Sequence, residues 1–466
     1  MIITTNTGQV RGVQEGNLYI FRGIPYAEAP VGERRFLPPY PKQPWDGILE
    51  ASRFGLKSYQ PVHGQNNLLK EQSEDCLSLN IWTSGVEQAN RPVLVNIHGG
   101  GFVAGTGAEF AGLTFAKQDN IVCVSLNYRL GALGFLHLGD LLGDAYQTSG
   151  NNGILDIVAA LKWVKENISC FGGDPNRITV SGVSAGAKCA STLLTVPAAQ
   201  GLFHQVIARS GATQSIRDTR TATLITLRLL DKLGIPHKEA HRLLTIPAQT
   251  IIEAQDNSLH TFGPVRDGLT IPMEPITAVL GKLKRKIPLL LGTNKDEAAS
   301  FITNSPGLKV QNEDVLNTLF GSNSGLVLNA YRKAALLKPA EEAWKDTLTD
   351  CFYRIAAVRL AEMAAEHGQP VWLYRFEYAG KQGAVHGAES PFVNDSNPTE
   401  VKELATRMHA AWAAFIRSGE PTAEGLPEWP AFTLSERSTM VLNQECRLER
   451  EADLSENDFP MQVIQL

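Results

Sequence analysis

Short apolar runs alternate along the chain with amphipathic stretches. Leu79 to Trp82, Val93 to Ile97, Ile121 to Leu126, Ile178 to Val180 and Gln205 to Ala208 are runs of strand length, and Ile287 to Leu291 and Val371 to Tyr378 resume the pattern. Between them Ile154, Val158, Leu161, Val164 and Ile168 recur at helical spacing, and after them residues 400–417 carry Leu404, Met408, Ala411, Trp412 and Phe415 on one side. Nearly uncharged strands that alternate with helices predict an α/β fold: a mostly parallel, twisted sheet with helices on both faces. Gly8 to Val13 and Leu18 to Phe21 read as short strands before a coil rich in proline, from Pro25 to Pro44. Residues 221–285 and 306–366 read as helical insertions in one continuous domain spanning 1–466, with no repeats or linkers.

One run changes the picture from architecture to chemistry. Ile178 to Val180 is a strand, and Gly182-Val183-Ser184-Ala185-Gly186 follows it and opens a helix. A G-x-S-x-G at a strand-to-helix turn holds its serine in strained backbone, with the hydroxyl projecting clear. Serine needs a base, something to orient that base, and donors for the oxyanion. His98-Gly99-Gly100-Gly101-Phe102 follows the strand Val93 to Ile97. Its glycines let Gly100 and Gly101 turn their N–H groups inward, with Ala185 N–H as a third donor.

Composition narrows the classes. With 43% hydrophobic and 20% charged residues and a net charge of −5, the chain reads as a globular protein that binds neither nucleic acid nor an anionic membrane. No apolar run reaches the length of a membrane span. Six widely spaced cysteines and no recognisable signal peptide predict reduced thiols and a cytoplasmic location. His237-Lys238-Glu239-Ala240-His241 has its glutamate one place too late for a zincin, and Gly100 to Gly105 lacks the P-loop lysine, with Thr106 in its place. Neither a metal nor a cofactor is expected.

Further motifs give the chain a family likeness. Phe21-Arg22-Gly23-Ile24-Pro25-Tyr26-Ala27, Glu74-Asp75-Cys76-Leu77, Asn127-Tyr128-Arg129-Leu130-Gly131 and Phe171-Gly172-Gly173-Asp174-Pro175 resemble, nearly end to end, the type-B carboxylesterase/lipase family, which includes bacterial para-nitrobenzyl esterases. The resemblance implies an α/β-hydrolase with its helical insertions over the active site. It implies a serine carboxylesterase that cleaves small uncharged esters through an acyl-enzyme, with Ser184 as nucleophile, Glu297 as acid and His386 as base. From the residues alone, Asp296 competes as the acid. His98 competes as the base, although its place in the glycine loop points to a structural role. By the same resemblance Ser210 hydrogen-bonds near the acid–histidine pair, and Arg35 with Glu74 and Arg129 with Asp174 form buried ion pairs.

The chain also departs from the family. Val183 stands where a glutamate usually precedes the serine, and Lys188 where a small residue is usual. The run Gln60 to Ser73 lacks both the tryptophan of a choline site and a cysteine to pair with Cys76. Nothing in the sequence sets the oligomeric state, for which a monomer is the working expectation.

Overall fold

Val122–Leu126 and Leu289–Asn294 bury every residue, the behaviour of strands hydrogen-bonded on both edges and covered on both faces. The computed structural model describes residues 1–61, 71–87, 90–110, 112–257, 261–274, 276–308, 313–394 and 401–451. It divides into two units: Met1–Cys189, Leu193–His204 and Ile216–Pro275, and then Ala190–Thr192, Gln205–Ser215 and Ile276–Leu466.

The sheet of the first unit uses β1 (Val13–Glu15), β2 (Leu18–Pro25), β3 (Ser78–Thr83), β4 (Arg91–Ile97), β5 (Val122–Leu126) and β6 (Gly173–Val183). Its order is β1-β2-β3-β5-β4-β6. β4 runs parallel to both of its neighbours, and β1, β2 and β3 add an antiparallel edge. β6 is longer than the apolar run Ile178 to Val180, because its polar start pairs with Arg91 of β4 across a register shift. Helix α1 (Asn152–Asn167) buries Ile154, Val158, Leu161 and Val164, the stripe its spacing predicts. Asn167 heads an Asn-x-Ser sequon, yet it is buried and hydrogen-bonded to both Trp163 O and Asn6 N–H, so it cannot accept a glycan.

The second unit carries β7 (Gln205–Arg209), β8 (Leu289–Asn294), β9 (Val371–Phe376), β10 (Ser438–Leu442) and β11 (Arg447–Arg450). β7 to β10 are parallel in that order, and β11 closes the edge antiparallel. β8 starts two residues later than its apolar run suggests, as Pro288 has no N–H for the ladder. The pattern along the sequence misses β10 and β11. β11 is charged and largely exposed, as an edge strand can be. The helix Lys402–Ser418 buries Leu404, Met408, Ala411, Trp412 and Phe415. Among the described residues no helix is long and apolar enough to cross a membrane, and all six cysteines are free thiols. Burial pushes the Cys76 thiol up to about 12. Of the run Gln60 to Ser73, residues 62–70 lie outside the described residues.

The buried ion pairs need one correction. Arg35 forks onto Glu74 with two bonds of 2.6 Å and also donates to Ile246 O. Arg129, however, pairs with Asp156 of α1, not with Asp174. Its Nε and Nη2 donate to the two Asp156 oxygens at 2.8 and 2.7 Å, and its Nη1 donates to Leu37 O. Asp174 is only half-buried at the start of β6, where it accepts from Asn176 N–H in a local turn. Burial works against the Arg129 charge, but Asp156 outweighs it and the guanidinium pKa is raised.

Candidate active site

In the first unit Ile97 of β4 pairs with Gly182 of β6, so two loops leave the carboxyl ends of adjacent parallel strands side by side. One is the glycine loop and the other is the turn that carries Ser184. Ser184 has a φ of 58°, in the left-handed region that a non-glycine residue enters at a cost. Helix α2 (Ala185–Thr192) starts directly after it. The helix can press this close to the sheet because a Cβ on Gly186 would lie 2.1 Å from Ile97 O, and one on Gly182 would lie 2.3 Å from the Gly186 carbonyl carbon. Any side chain there would force the serine off its perch.

Gly100 has a φ of 108°, and a Cβ on it would lie 2.1 Å from Ala104 O. Its carbonyl accepts from Val103 and Ala104 N–H, which closes the glycine loop on itself. Among the described residues the N–H groups of Gly100, Gly101 and Ala185 donate to no acceptor. Ala185 is the first residue of its helix, so its N–H has no intrahelical partner. Val183 ends β6, and its carbonyl faces Gly99. Lys188 is buried in the first turns of α2, with its N–H bonded to Ser184 O.

His98 is structural rather than basic. It stacks on Tyr128 with ring centroids 4.5 Å apart, and its Nδ1 contacts Gly99 O at 2.9 Å. Burial pushes its pKa down to about 4, so it stays neutral and cannot share the proton traffic of a base working near neutrality. The same burial links it to stability. The unfolded chain takes up this proton near the ordinary value of about 6.5, and the folded chain does so only near 4. Stability contributed by neutral His98 is therefore present above about 6.5 and is lost as the pH falls to about 4, by about 3 kcal/mol. Unfolding free energy measured across this range should fall less steeply for His98→Asn than for the parent; equal slopes would refute the assignment.

In the second unit Asn294 of β8 pairs with Phe376 of β9, so the acid and histidine loops also emerge side by side. Glu297 begins helix α3 (Glu297–Asn304) and is fully buried. Its Oε1 accepts from Asn294 N–H at 2.8 Å, and its Oε2 lies 2.6 Å from His386 Nδ1. A carboxylate oxygen only accepts, so Nδ1 carries the proton and donates, leaving Nε2 as a base. Asp296, the competing acid, is engaged by Lys345 instead. The two loops are bonded directly through Asp296 N–H to Ala384 O at 2.9 Å.

Aromatic rings hold the imidazole on its faces. Tyr353 stacks on His386 with centroids 4.7 Å apart and 27° between planes, and Phe301 is tilted against it at 5.2 Å. Tyr353 sits in a π-helical turn, Asp350–Arg354, which no hydrophobic period announces. Ser210 is fully buried with a φ of 52°. Its Oγ has no hydrogen-bond partner among the described residues, so the bond expected of it near the acid–histidine pair is absent. Its backbone N–H is tied to Gly292 O at 2.8 Å. Among the described residues no group of three or more histidine, cysteine or carboxylate side chains could hold a metal ion.

Parallel strands delivering a strained serine in one unit and a carboxylate–imidazole pair in the other are the parts of an α/β-hydrolase. Comparison with known proteins narrows this to a family. The model of the carboxylesterase family matches residues 1–459. The chain is 36% identical to the para-nitrobenzyl esterase of Bacillus subtilis, covering 97% of this chain and 96% of that protein. It is 34% identical to the phenmedipham hydrolase of Pseudarthrobacter oxydans, covering 95% of each. A solved carboxylesterase structure from Geobacillus stearothermophilus superposes with a TM-score of 0.88 at 37% identity, over 98% of this chain and 99% of that one. The chain belongs to the carboxylesterase family and is a hydrolase of carboxylic esters with the α/β-hydrolase fold.

Proposed function

We propose that Ser184, His386 and Glu297 act as one triad that hydrolyses small, uncharged carboxylic esters through an acyl-enzyme. The observation that carries this reading is the 2.6 Å bond from His386 Nδ1 to a fully buried Glu297, which presents Nε2 as the free base. Ser184 Oγ attacks the ester carbonyl while His386 Nε2 takes its proton. The N–H groups of Gly100, Gly101 and Ala185 receive the charge that develops on the carbonyl oxygen. His386 then protonates the departing alcohol, Glu297 stabilises the transient imidazolium, and water repeats the sequence to release the acid. No cofactor or metal enters these steps. The relative named for para-nitrobenzyl esters supports an uncharged ester as substrate. Free thiols support a cytoplasmic enzyme, and we take it as a single catalytic domain acting as a monomer.

Labelling with a fluorophosphonate tests the nucleophile directly. Peptide mapping should place the adduct on Ser184, with loss of activity against para-nitrophenyl esters in proportion to labelling. An adduct elsewhere, or full activity after stoichiometric labelling, would refute the reading. Acyl chains of increasing length on the same leaving group then define the acyl preference.

A further inference from the structure

The acid and the base of the proposed triad sit on separate loops, and one buried side chain holds both. Asn294, the last residue of β8, is 1% exposed. Its backbone N–H donates to Glu297 Oε1 at 2.8 Å. Its side-chain Nδ2 donates to Val385 O, next to His386, at 2.7 Å, and to Glu389 Oε2, also at 2.7 Å. One residue therefore fixes the carboxylate through its main chain and the histidine loop through its side chain.

Glu389 is what aims that amide. It is fully buried three residues after His386, and a buried carboxylate without partners would be costly. Arg209, at the end of β7, supplies the countercharge. Its Nη1 lies 3.5 Å from Glu389 Oε1 and donates to Ser390 Oγ at 3.2 Å. Arg209 pairs in register with Gly292 of β8. The space over Gly292 is taken by the ring of Tyr374 from the next strand. An anionic Glu389 accepts only, so it presents Asn294 with an acceptor and selects the orientation in which Nδ2 faces the histidine loop.

We propose that Asn294 is a positioning residue for the Glu297–His386 pair, and that the buried Arg209–Glu389 ion pair sets its orientation. The His386 loop needs such a tether. Gly383 and Gly387 on either side of it have φ values of 84° and 80°, so a backbone free to take many conformations brackets the imidazole. Releasing the Val385 carbonyl leaves the bond from Asp296 N–H to Ala384 O in place but frees the residue next to His386, so the imidazole can shift without the loss of any reacting group. A displacement of about 1 Å at such a site costs about 100-fold in rate.

This rests on the triad reading above, and the test separates the two. Asn294→Ala keeps the backbone bond to Glu297 and removes only the side-chain tether. It should lower kcat by about 10- to 100-fold, leave KM within about twofold, and slow fluorophosphonate labelling of Ser184 by the same factor as kcat. Asn294→Gln, which keeps a donor on a longer arm, should recover part of the loss. Glu389→Gln, which can turn either its oxygen or its amide toward Asn294, should fall between the parent and Asn294→Ala. The double variant Asn294→Ala/Glu389→Gln should have a kcat per folded enzyme no lower than Asn294→Ala alone, because Glu389 acts on the catalytic pair through Asn294; the loss of its charge beside Arg209 shows in thermal unfolding instead. A parent chain that labels on Ser184 while Asn294→Ala keeps kcat within threefold overturns the positioning role and leaves the triad standing. A loss of activity that merely tracks the folded fraction, measured by thermal unfolding, overturns it as well. A parent chain that does not label on Ser184 counts against the triad instead.

Discussion

Replacing Ser184 with alanine should lower kcat by about 10⁶-fold, to the rate left by oxyanion donors and binding alone. The size of the effect follows from the way the parts depend on each other. The 2.6 Å bond between Glu297 and His386 involves no atom of Ser184, so the pair should survive the substitution but has no proton to take. The N–H groups of Gly100, Gly101 and Ala185 also survive, because backbone supplies them. Alanine tolerates the left-handed φ of 58° at this position about as poorly as serine does, so the turn keeps its shape without a new source of strain. The chain should therefore fold and bind ester, yet scarcely turn it over. Steady-state hydrolysis of a para-nitrophenyl ester, with a fluorophosphonate titration to exclude contaminating parent enzyme, gives the number. Turnover within tenfold of the parent would sink Ser184 as the nucleophile.

Much of this layout can be read from the chain because the relevant residues carry local constraints. Gly182 and Gly186 are needed where helix and sheet approach to within a side chain's width, and Gly100 where the loop folds on its own carbonyl. Such positions leave a fixed spacing in the sequence. The buried strands leave uncharged runs, and α1 and the helix Lys402–Ser418 leave a stripe at helical period. What escapes is whatever depends on register between distant elements. Tyr353 reaches His386 only through a π-helical turn, and a hydrophobic period cannot show one. Asn294 is one residue in a strand end, and its role appears only once Val385 and Glu389 are placed beside it. Ser210 stands where the family likeness puts it, but its hydroxyl makes no bond there among the described residues. A likeness in sequence carries the position of a residue more faithfully than its partner.

Arg129 shows the same limit and gives the largest stability prediction. Asp156→Ala should destabilise the first unit by about 3–5 kcal/mol, since it strands a buried guanidinium whose Nε and Nη2, among the described residues, bond only to that carboxylate. The Asp156 side chain also accepts from Arg129 N–H at 3.0 Å, so the substitution frees a buried backbone donor too. Asp174→Ala, by contrast, loses one bond to Asn176 N–H in a half-buried turn, and should cost about 1 kcal/mol. The ordering of these two variants decides which aspartate answers Arg129. Pairing Asp156→Leu with Arg129→Met should return much of the loss, because removing both charges together leaves neither stranded. Thermal and urea unfolding of the single and double variants measures all of these. Equal losses for Asp156→Ala and Asp174→Ala, or a double variant as unstable as the sum of its parts, would contradict a paired and buried Arg129.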